Sequence, residues 1–436
     1  MSNLSLIANP CKTVSGKINI PGDKSISHRA IILSMLCTGK TYIHNLLEAE
    51  DVKNTIKISK LLGLTIIKHQ EFIEVNGLGL NGLSKPSDNL DFGNSGTSLR
   101  LFMGILSSQN FTSILTGDES LLNRPMERVA IPLKQMGARI SMIDGKAPIT
   151  IKPPKKRLQG INYQLDIPSA QIKSAIIFAS LFCKNDSSIS FNSITRDHTE
   201  RMLQLFNYPI ISKKNTIKIH AGKLETPRQI DIPGDFSSAS FFIVATLIAK
   251  KSKVTICNVG LNDTRTGLLQ ILKLMGADIT INITKHDSYE IVGDITIQSS
   301  NLHGIRVPKE LISLAIDELP LIFIAAANAK GQTIIRNAEE LRFKESDRIK
   351  SMVSLLKILN IDVTEYHDGL DIRGGSIEGG EINSFGDHRI AMSALIASCA
   401  SKEKIIVSNC ENINTSFPTF ISLMNSIGLD IYNKEI

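Results

Sequence analysis

Two short signatures recur through this chain at a period of roughly 70 residues, and this repeat limits the possible folds more than any single motif does. The first signature joins a polar or Gly/Pro turn to a run rich in Ala, Ser and Ile. The second ends each unit in a segment such as LMGADIT. The period is long for a solenoid and predicts six copies of one small α/β subdomain. The turns begin at Pro21, Asp91, Ile167, Ile232, Asp317 and Phe385, and the second signatures begin at Leu61, Gln135, Leu205, Leu274, Ile358 and Ser426.

Length and composition favour two domains of three repeats each. A chain of 436 residues is too long for one domain, and 42% hydrophobic residues supply a core for each half. Tryptophan is absent, so the core must rest on Ile, Leu, Val, Met and Ala. We place the boundary near Ile232–Gly234, with one domain over residues 22–233 and the other over residues 1–21 plus 234–436.

The formal net charge of +7 is compatible with nucleic acid, a membrane surface or a small acidic substrate. The one dense basic run, Lys155–Arg157, is interpreted as a solvated loop, and no basic stripe is interleaved with aromatic residues. The longest apolar runs fall short of the ~20 residues of a membrane span, and no signal peptide is evident. We therefore expect no nucleic acid and no membrane as partner, and we favour a small anionic ligand.

The six cysteines form no C-x-x-C pair, and several lie in apolar runs. This pattern predicts reduced, mostly buried thiols in a cytoplasmic protein. The cysteines are Cys11, Cys37, Cys183, Cys257, Cys399 and Cys410.

The stretch PGDKSISHRA predicts a strand end, a tight turn and a helix that follows Ser27. A helix start has unpaired N–H groups and partial positive charge, and Lys24, Ser25 and Arg29 add further donors. The arrangement suits a phosphate or a carboxylate. A Ser-capped helix with solvated charges explains the same residues equally well, so this stretch alone leaves both interpretations open.

Further helix starts in the first half carry similar side chains. The turn Gly93–Thr97 suits an anion or is a simple tight turn, and it is not a P-loop because no G-x-x-x-x-G-K-[ST] motif occurs. Arg124 precedes a proline that opens a helix predicted over Met126–Met136, and its side chain reaches a cleft or solvent. Ser169 and Gln171 begin the third helix.

A charged segment follows that third helix. His198 lies between acidic residues and close to Arg196, but no companion His or Cys has ligand spacing. We therefore expect ion-paired capping of a helix here, and no zinc site.

Two carboxylates in the second half, Asp317 and Glu318, precede a proline and an apolar helix predicted over Leu321–Ala329. We expect one of them to cap that helix and the other to be available as a general base.

The densest charged constellation contains Lys344, Glu345 and Arg348. The four-residue spacing of Lys344 and Arg348 predicts that they share one helical face. A salt-bridged, exposed helix explains these charges as well as a catalytic role does. His388 and Arg389 begin a final Gly-preceded helix.

Nine of these motifs, taken in order, resemble the 5-enolpyruvylshikimate-3-phosphate (EPSP) synthase family over essentially the whole chain. They are PGDKSISHRA, GNSGTSLRL, NRPMER, PSAQIKSA, TRDHTER, DELP, LRFKESDR, FGDHRIAM and TSFP. The resemblance implies an α/β (α+β) fold: a two-domain inside-out α/β barrel of six βαβαββ repeats, three per domain, with the active site in the interdomain cleft.

The same resemblance implies an activity. Members of the family transfer the enolpyruvyl group of phosphoenolpyruvate to the 5-hydroxyl of shikimate 3-phosphate and release phosphate. The reaction is an addition–elimination through a tetrahedral intermediate that needs no metal and no cofactor. It belongs to the shikimate pathway of chorismate and aromatic amino acid biosynthesis. A cytoplasmic monomer is expected.

The resemblance also implies roles for individual residues. Lys24 should contact both substrates and take part in catalysis, and Asp317 and Glu345 should transfer protons in an order that the sequence leaves open. The residues implied at shikimate 3-phosphate are Ser25, Arg29, Ser169, Ala170, Gln171 and Arg196. Those implied at phosphoenolpyruvate are Asn94, Gly96, Thr97, Arg124, Lys344, Arg348, His388 and Arg389.

Two positions depart from the family pattern. Ala170 stands where many members have a second serine, and Thr415 stands where many have a lysine. The SAQIKSA and RDHTER forms resemble a subgroup that often tolerates glyphosate, whereas Gly96 keeps the pocket free of an extra methyl group. Glyphosate sensitivity therefore stays open.

Two other classes of protein compete with this interpretation. UDP-N-acetylglucosamine enolpyruvyl transferase shares the fold and the donor, but its reactive loop cysteine has no counterpart within Gly117–Glu127. A non-catalytic RNA-binding protein on a related fold would require a basic stripe that the sequence lacks.

Overall fold

Parallel strand pairs that extend into antiparallel hairpins form most of the sheets of this protein. The computed structural model describes residues 4–11, 13–213, 215–285 and 289–434. The chain folds into two compact units, one of Gly22–Ile232 and one of Met1–Pro21 with Pro233–Ile436. The mixture of helices with several small mixed sheets confirms the predicted α/β class.

The unit Gly22–Ile232 contains three four-stranded sheets among its described residues. In each sheet one parallel pair is extended by antiparallel partners, as where Leu90–Asp91 pairs in parallel with Ser113–Thr116 across a helix. The strands, sheet by sheet, are Thr38–His44, Thr65–Lys68, Phe72–Leu78 and Gln229–Asp231; Leu90–Asp91, Ser113–Thr116, Arg139–Ile143 and Lys146–Lys152; and Asn162–Leu165, Ser187–Phe191, Ile210–Lys213 and Thr216–Ile219. The helices are Lys24–Leu36, Glu50–Leu61, Gly96–Leu106, Glu119–Leu122, Glu127–Gln135, Ala170–Ser180 and His198–Leu205.

The second unit joins the two ends of the chain, because Leu6–Ala8 pairs with both Ile405–Ser408 and Ile431–Asn433. Its strands, sheet by sheet, are Leu6–Ala8, Gly380–Asn383, Ile405–Ser408 and Ile431–Asn433; Ser15–Asn19, Lys253–Gly260, Asp278–Lys285 and Val292–Gln298; and Gln332–Ile335, Asp362–Tyr366 and Gly369–Arg373. Its α-helices are Phe236–Ile248, Gly267–Leu274, Lys309–Ile312, Leu319–Ala327, Arg348–Ile358, His388–Ile396, Ile413–Ser416 and Phe420–Ser426, with 3₁₀ turns at Glu339–Phe343 and Ala397–Cys399.

Helices that follow the repeated turns are buried nearly all round. Every residue of Phe236–Ile248 and of Leu319–Ala327 is buried, which matches sequences that are apolar or small on all faces. Their first turns begin at polar caps such as Asp235, whose carboxylate accepts from Ser237 N and Ser238 N at 2.6 and 3.2 Å. Asp235 therefore caps the helix Phe236–Ile248.

Several predicted bounds are wrong by a few residues, for local reasons. The first helix begins at Lys24, ahead of the predicted start after Ser27, because Asp23 accepts from Ile26 N and caps it. The predicted helix Leu321–Ala329 covers Leu319–Ala327, because a proline fits the first turn of a helix. The helix predicted over Met126–Met136 covers Glu127–Gln135.

Three structural features bear on function: the cysteines, possible metal ligands and possible membrane-spanning helices. Of the six cysteines, all within the described residues, five are buried and Cys11 is half-buried, and none forms a disulfide. The described residues contain no group of three or more His, Cys, Asp or Glu side chains that could hold a metal ion. Among them, no helix has the length and hydrophobicity that a membrane span requires.

Candidate active site

The helix Lys24–Leu36 presents the first predicted anion-binding side chains. Lys24 Nζ lies 2.9 Å from Asp51 Oδ2 and keeps 19% of its side chain exposed, and Ser25 is half-buried beside it. Asp51 belongs to the next helix, Glu50–Leu61. Lys24 is therefore held in position by a carboxylate while its ammonium group remains accessible.

Arg29 lies one turn further along the same helix and is buried. Its Nε donates to Thr199 Oγ1 at 2.7 Å, its Nη2 to Ser174 Oγ at 2.9 Å and its Nη1 to Ser25 O at 2.9 Å. These three acceptors are neutral, and they fix the orientation of the guanidinium. An anion at this site would meet an oriented cation.

His28 is buried and bonds Thr55 Oγ1 at 2.7 Å through Nδ1. Burial holds its pKa well below the usual value, and the charges of Lys24 and Arg29 lower it further. His28 is therefore neutral at physiological pH, and its bond with Thr55 ties the first helix to the second.

A second group surrounds the start of the helix Gly96–Leu106. Arg124 Nη2 donates to Asn94 Oδ1 at 2.8 Å, and Asn94 Nδ2 donates to Asp118 Oδ2 at 2.7 Å. A methyl group built on Gly96 would lie 3.0 Å from Arg124 Nη1 and 2.9 Å from Arg100 Nη1. Gly96 therefore lets two guanidinium groups approach one helix N-terminus.

Gln171 connects this group to the third helix start. Its Nε2 donates to Thr97 Oγ1 at 3.0 Å, and its Oε1 accepts from Arg100 Nη1 at 2.7 Å. Ser169 caps the helix Ala170–Ser180 by accepting from Ile172 N, and Ala170 is its first residue. The contacts thus join Asn94, Gly96, Thr97, Arg124 and Gln171 in one cluster.

Arg196 is half-buried in the irregular segment before the helix His198–Leu205. The expected ion pair is present at this helix start, but the expected side-chain cap is not. Asp197 occupies the N-cap position without a side-chain capping bond and instead pairs with Arg201 at 2.9 Å.

In the unit formed by the two ends of the chain, Arg348 lies at the centre of a set of carboxylates. Its Nη1 lies 3.6 Å from Asp317 Oδ1 and its Nη2 lies 2.5 Å from Glu345 Oε2. Lys344 Nζ also lies 3.8 Å from Asp317 Oδ1. The structure therefore brings together both predicted proton-transfer carboxylates and two predicted cations.

The prediction that Lys344 and Arg348 share a helical face is wrong. Lys344 follows the 3₁₀ turn Glu339–Phe343 in an extended conformation, and Arg348 is the first residue of the next helix. Asp347 caps that helix by accepting from Lys350 N at 3.0 Å. The two cations meet at Asp317 because of the fold and not because of helical spacing.

Asp387 holds Arg348 from the other side. Its carboxylate accepts from Arg348 Nε at 2.8 Å and from Ser346 Oγ at 3.2 Å, and it also accepts from Arg389 N at the start of the helix His388–Ile396. Burial alone would raise the pKa of Asp387, but the charge of Arg348 lowers it below its ordinary value. For Arg348 the signs are reversed. Burial alone would lower its pKa, but the charges of Asp387 and Glu345 outweigh burial and raise it.

Arg389 is fixed by Asp317 O at 2.7 Å and by Ser237 Oγ at 3.2 Å, and it lies 3.6 Å from Glu318 Oε1. Burial lowers the pKa of the Arg389 guanidinium, and the negative charge of Glu318 partly offsets this by raising it. A bound anion would stabilise the charged form further. His388, its neighbour at the helix start, is buried.

Glu318 overturns a further expectation. It occupies the N-cap position of the helix Leu319–Ala327, but its side chain makes no capping bond. The buried Glu318 carboxylate instead accepts from Ser237 Oγ and lies 3.8 Å from Arg265 Nη2. Arg265 Nη2 also donates to Ser237 Oγ at 2.6 Å.

Sequence reasoning missed several residues that hold the site together. Two of them lie within recurring sequence signals: Arg100 follows the Gly-rich turn Gly93–Thr97 by one helical turn, and Ser237 follows the turn that begins at Ile232. Thr199 and Ser174 carry no local signal, because they meet Arg29 only through the fold. The missed residues are Asp51, Arg100, Ser174, Thr199, Ser237, Arg265 and Asp387.

Comparison with known proteins decides the family. Residues 8–424 match the family model for EPSP synthase (3-phosphoshikimate 1-carboxyvinyltransferase). The chain belongs to the EPSP synthase family. The 3-phosphoshikimate 1-carboxyvinyltransferase of Vesicomyosocius okutanii is 48% identical over 98% of both chains, and that of Legionella pneumophila (strain Lens) is 46% identical over 98% of this chain and 99% of its own. The solved EPSP synthase of Acinetobacter baumannii superposes with a TM-score of 0.88 at 42% identity and full coverage of both chains.

Proposed function

We propose that this EPSP synthase family member transfers the enolpyruvyl group of phosphoenolpyruvate to the 5-hydroxyl of shikimate 3-phosphate, with release of phosphate. The observation that carries the proposal is the identity of nearly one half over nearly the full length of proteins named for this reaction. The reaction places the protein in the shikimate pathway of aromatic amino acid biosynthesis.

Shikimate 3-phosphate is assigned to the side chains around Arg29. The oriented, buried guanidinium of Arg29 and the accessible ammonium of Lys24 supply positive charge, and Ser25 and Ser169 supply hydroxyl donors. Gln171 and Arg196 complete the set. Ala170 gives this site one hydroxyl group fewer than a second serine would.

The residues that the family resemblance assigns to phosphoenolpyruvate fall into two sets. One set is the cluster of Asn94, Gly96, Thr97 and Arg124. The other set surrounds Arg348 in the second unit. Both sets supply guanidinium groups, which suit the carboxylate and phosphate of the donor. The members of the second set are Lys344, Arg348, His388 and Arg389.

Asp317 and Glu345 are assigned to proton transfer. The 5-hydroxyl oxygen attacks C2 of phosphoenolpyruvate and loses its proton to a carboxylate, while C3 gains a proton from an acid. Phosphate then leaves the tetrahedral intermediate as C3 loses a proton again. Lys24, Lys344 and Arg348 would stabilise the charge on the phosphate as it departs.

Three further expectations are carried as proposals. Each half of the chain forms an inside-out barrel of three βαβαββ units, the protein is a monomer, and it acts in the cytoplasm. The resemblance of its motifs to the EPSP synthase family supports all three. Size-exclusion chromatography with light scattering tests the monomer directly, and a dimer at assay concentration would refute it.

The test of the activity is a choice between acceptors. Purified protein is mixed with phosphoenolpyruvate and either shikimate 3-phosphate or UDP-N-acetylglucosamine, and free phosphate is followed with time. We expect phosphate release only with shikimate 3-phosphate. Release only with the nucleotide sugar would move the protein to the related transferase, and a folded sample that is inactive with both would refute the proposal.

A further inference from the structure

Two cysteines from opposite ends of the chain are in contact within one unit. Cys11 lies between the strands Leu6–Ala8 and Ser15–Asn19, and Cys399 ends the 3₁₀ turn Ala397–Cys399. Cys11 N donates to Ser398 O at 3.1 Å, which sets the two backbones side by side. The two thiols lie near enough to affect each other's ionisation, which lowers the pKa of Cys11 and raises that of Cys399.

The two thiols differ in access. Cys11 is half-buried and reaches the surface, with its sulfur 3.1 Å from Gly428 O, whereas Cys399 is 4% exposed. An oxidant from solvent would therefore meet Cys11 first. Cys399 would be reached only through Cys11.

Cys11 also differs electrostatically from the other cysteines. A hydrogen bond with the Cys399 side chain is the main reason that its pKa falls from 9.0 to about 7, against the opposing effect of burial. Burial raises the pKa of Cys37 and Cys410 to about 12 and that of Cys183 to about 11. At pH 7 the thiolate fraction of Cys11 is about fiftyfold that of an ordinary thiol, which outweighs a roughly eightfold loss of intrinsic nucleophilicity.

We propose that Cys11 and Cys399 form a site of reversible oxidation, in which a hydroperoxide converts the contacting thiols into a disulfide. The Cys11 thiolate attacks one peroxide oxygen and the O–O bond breaks. Hydroxide departs, and Cys11 becomes a sulfenic acid. The Cys399 sulfur then attacks the Cys11 sulfur and expels water after proton transfer. Each sulfur loses one electron, the peroxide gains two, and a dithiol reductant reverses the change.

The Cys11–Cys399 disulfide would be a covalent cross-link within this unit. It would link the stretch after the first strand to the end of the helix His388–Ile396, the helix whose start carries His388 and Arg389. Because the bond closes a loop between two ends of the chain, it should stabilise the folded state. We expect Tm to rise by about 5–10 °C on oxidation and to return on reduction.

The experiment treats reduced full-length protein with a small excess of hydrogen peroxide and then traps the remaining thiols in denaturant. Intact mass and peptide mapping read out the linkage, and neither needs a variant. We expect loss of two of the six titratable thiols, a mass decrease of about 2 Da and one peptide pair that joins Cys11 to Cys399. Dithiothreitol should restore all six thiols.

Two variants complete the design. Cys11→Ser should abolish the loss of the paired thiols and the rise in Tm, and Cys257→Ser, which leaves both sulfur atoms of the pair in place, should retain both effects. Accumulation of Cys11 as sulfinic acid with Cys399 still a thiol would overturn the proposal. Disulfides between separate chains, or a Tm that oxidation leaves unchanged, would do the same.

Discussion

Replacing Lys173 by methionine would leave a carboxylate buried without its cation. Lys173 Nζ lies 2.6 Å from Glu200 Oε1, and each side chain is only 2% exposed. Apart from that contact, no described residue hydrogen-bonds either oxygen of Glu200. The ammonium group also donates to Thr195 O at 3.4 Å and lies 5.5 Å from the centre of the Phe191 ring. The pair connects the two helices that carry Ser174 and Thr199, which both contact Arg29.

The cost follows from burial. Removing one partner of a buried ion pair destabilises by about 3–5 kcal/mol, because the remaining charge must be neutralised or hydrated. Methionine preserves most of the side-chain volume, so little of that loss comes from packing. The double variant Lys173→Met with Glu200→Met removes both charges and should return to within about 1–2 kcal/mol of the parent protein.

Urea unfolding followed by far-UV circular dichroism measures the effect, since the chain has no tryptophan. With a slope of about 3 kcal/mol/M, the midpoint for the single variant should fall by about 1–1.7 M. The exposed pair Lys402–Glu378, with a similar distance of 2.7 Å, is the matched control. Lys402→Met should cost less than about 1 kcal/mol.

The reasoning would be refuted by a cost below about 1 kcal/mol for Lys173→Met. It would equally be refuted if the double variant lost as much stability as the two single variants together.

Three further predictions follow from the other contacts. Gly96→Ala places a methyl group 3.0 Å from Arg124 Nη1, so the KM for phosphoenolpyruvate should rise about tenfold or more in steady-state assays with kcat little changed. Glu345→Gln should lower kcat by about 10²–10⁴ while far-UV circular dichroism stays that of the parent, and a variant that keeps full kcat would exclude proton transfer by Glu345. Asp387→Asn should cost about 2–4 kcal/mol at pH 7 by removing the charge that compensates Arg348. Since the pKa of Asp387 is lowered by folding, its stabilisation is present above its unfolded pKa of about 3.9 and is lost as pH falls through the folded pKa, so the two unfolding midpoints should converge in acid.

Local signals in the sequence were enough to predict the α/β class and the positions of the repeated helix starts. A cap followed by a long apolar run marks a helix wherever it occurs, as at Asp235. The same local reasoning failed at Lys344 and Arg348. Spacing alone could not reveal that Asp347 caps a new helix that begins between them. The Asp347 carboxylate is held by Arg342, whose Nη1 donates to Asp347 Oδ2 at 2.7 Å.

The contacts that orient the site were beyond the sequence for a different reason. Thr199 lies 170 residues from Arg29 along the chain, and Ser237 lies 152 residues from Arg389. Neither residue type is unusual where it stands, so nothing local distinguishes it from an ordinary helix-start residue. Only the fold brings these hydroxyl groups to the guanidinium groups that they orient.

The most direct test of the central claim follows carbon as well as phosphate. Phosphoenolpyruvate labelled with ¹³C in its vinyl carbons is incubated with shikimate 3-phosphate and the protein, and the products are identified by ¹³C and ³¹P NMR. The account predicts inorganic phosphate and a labelled enol ether on the 5-oxygen of shikimate 3-phosphate, in equal amounts. Phosphate accompanied by labelled pyruvate, with no carbon on the acceptor, would contradict enolpyruvyl transfer and indicate simple hydrolysis.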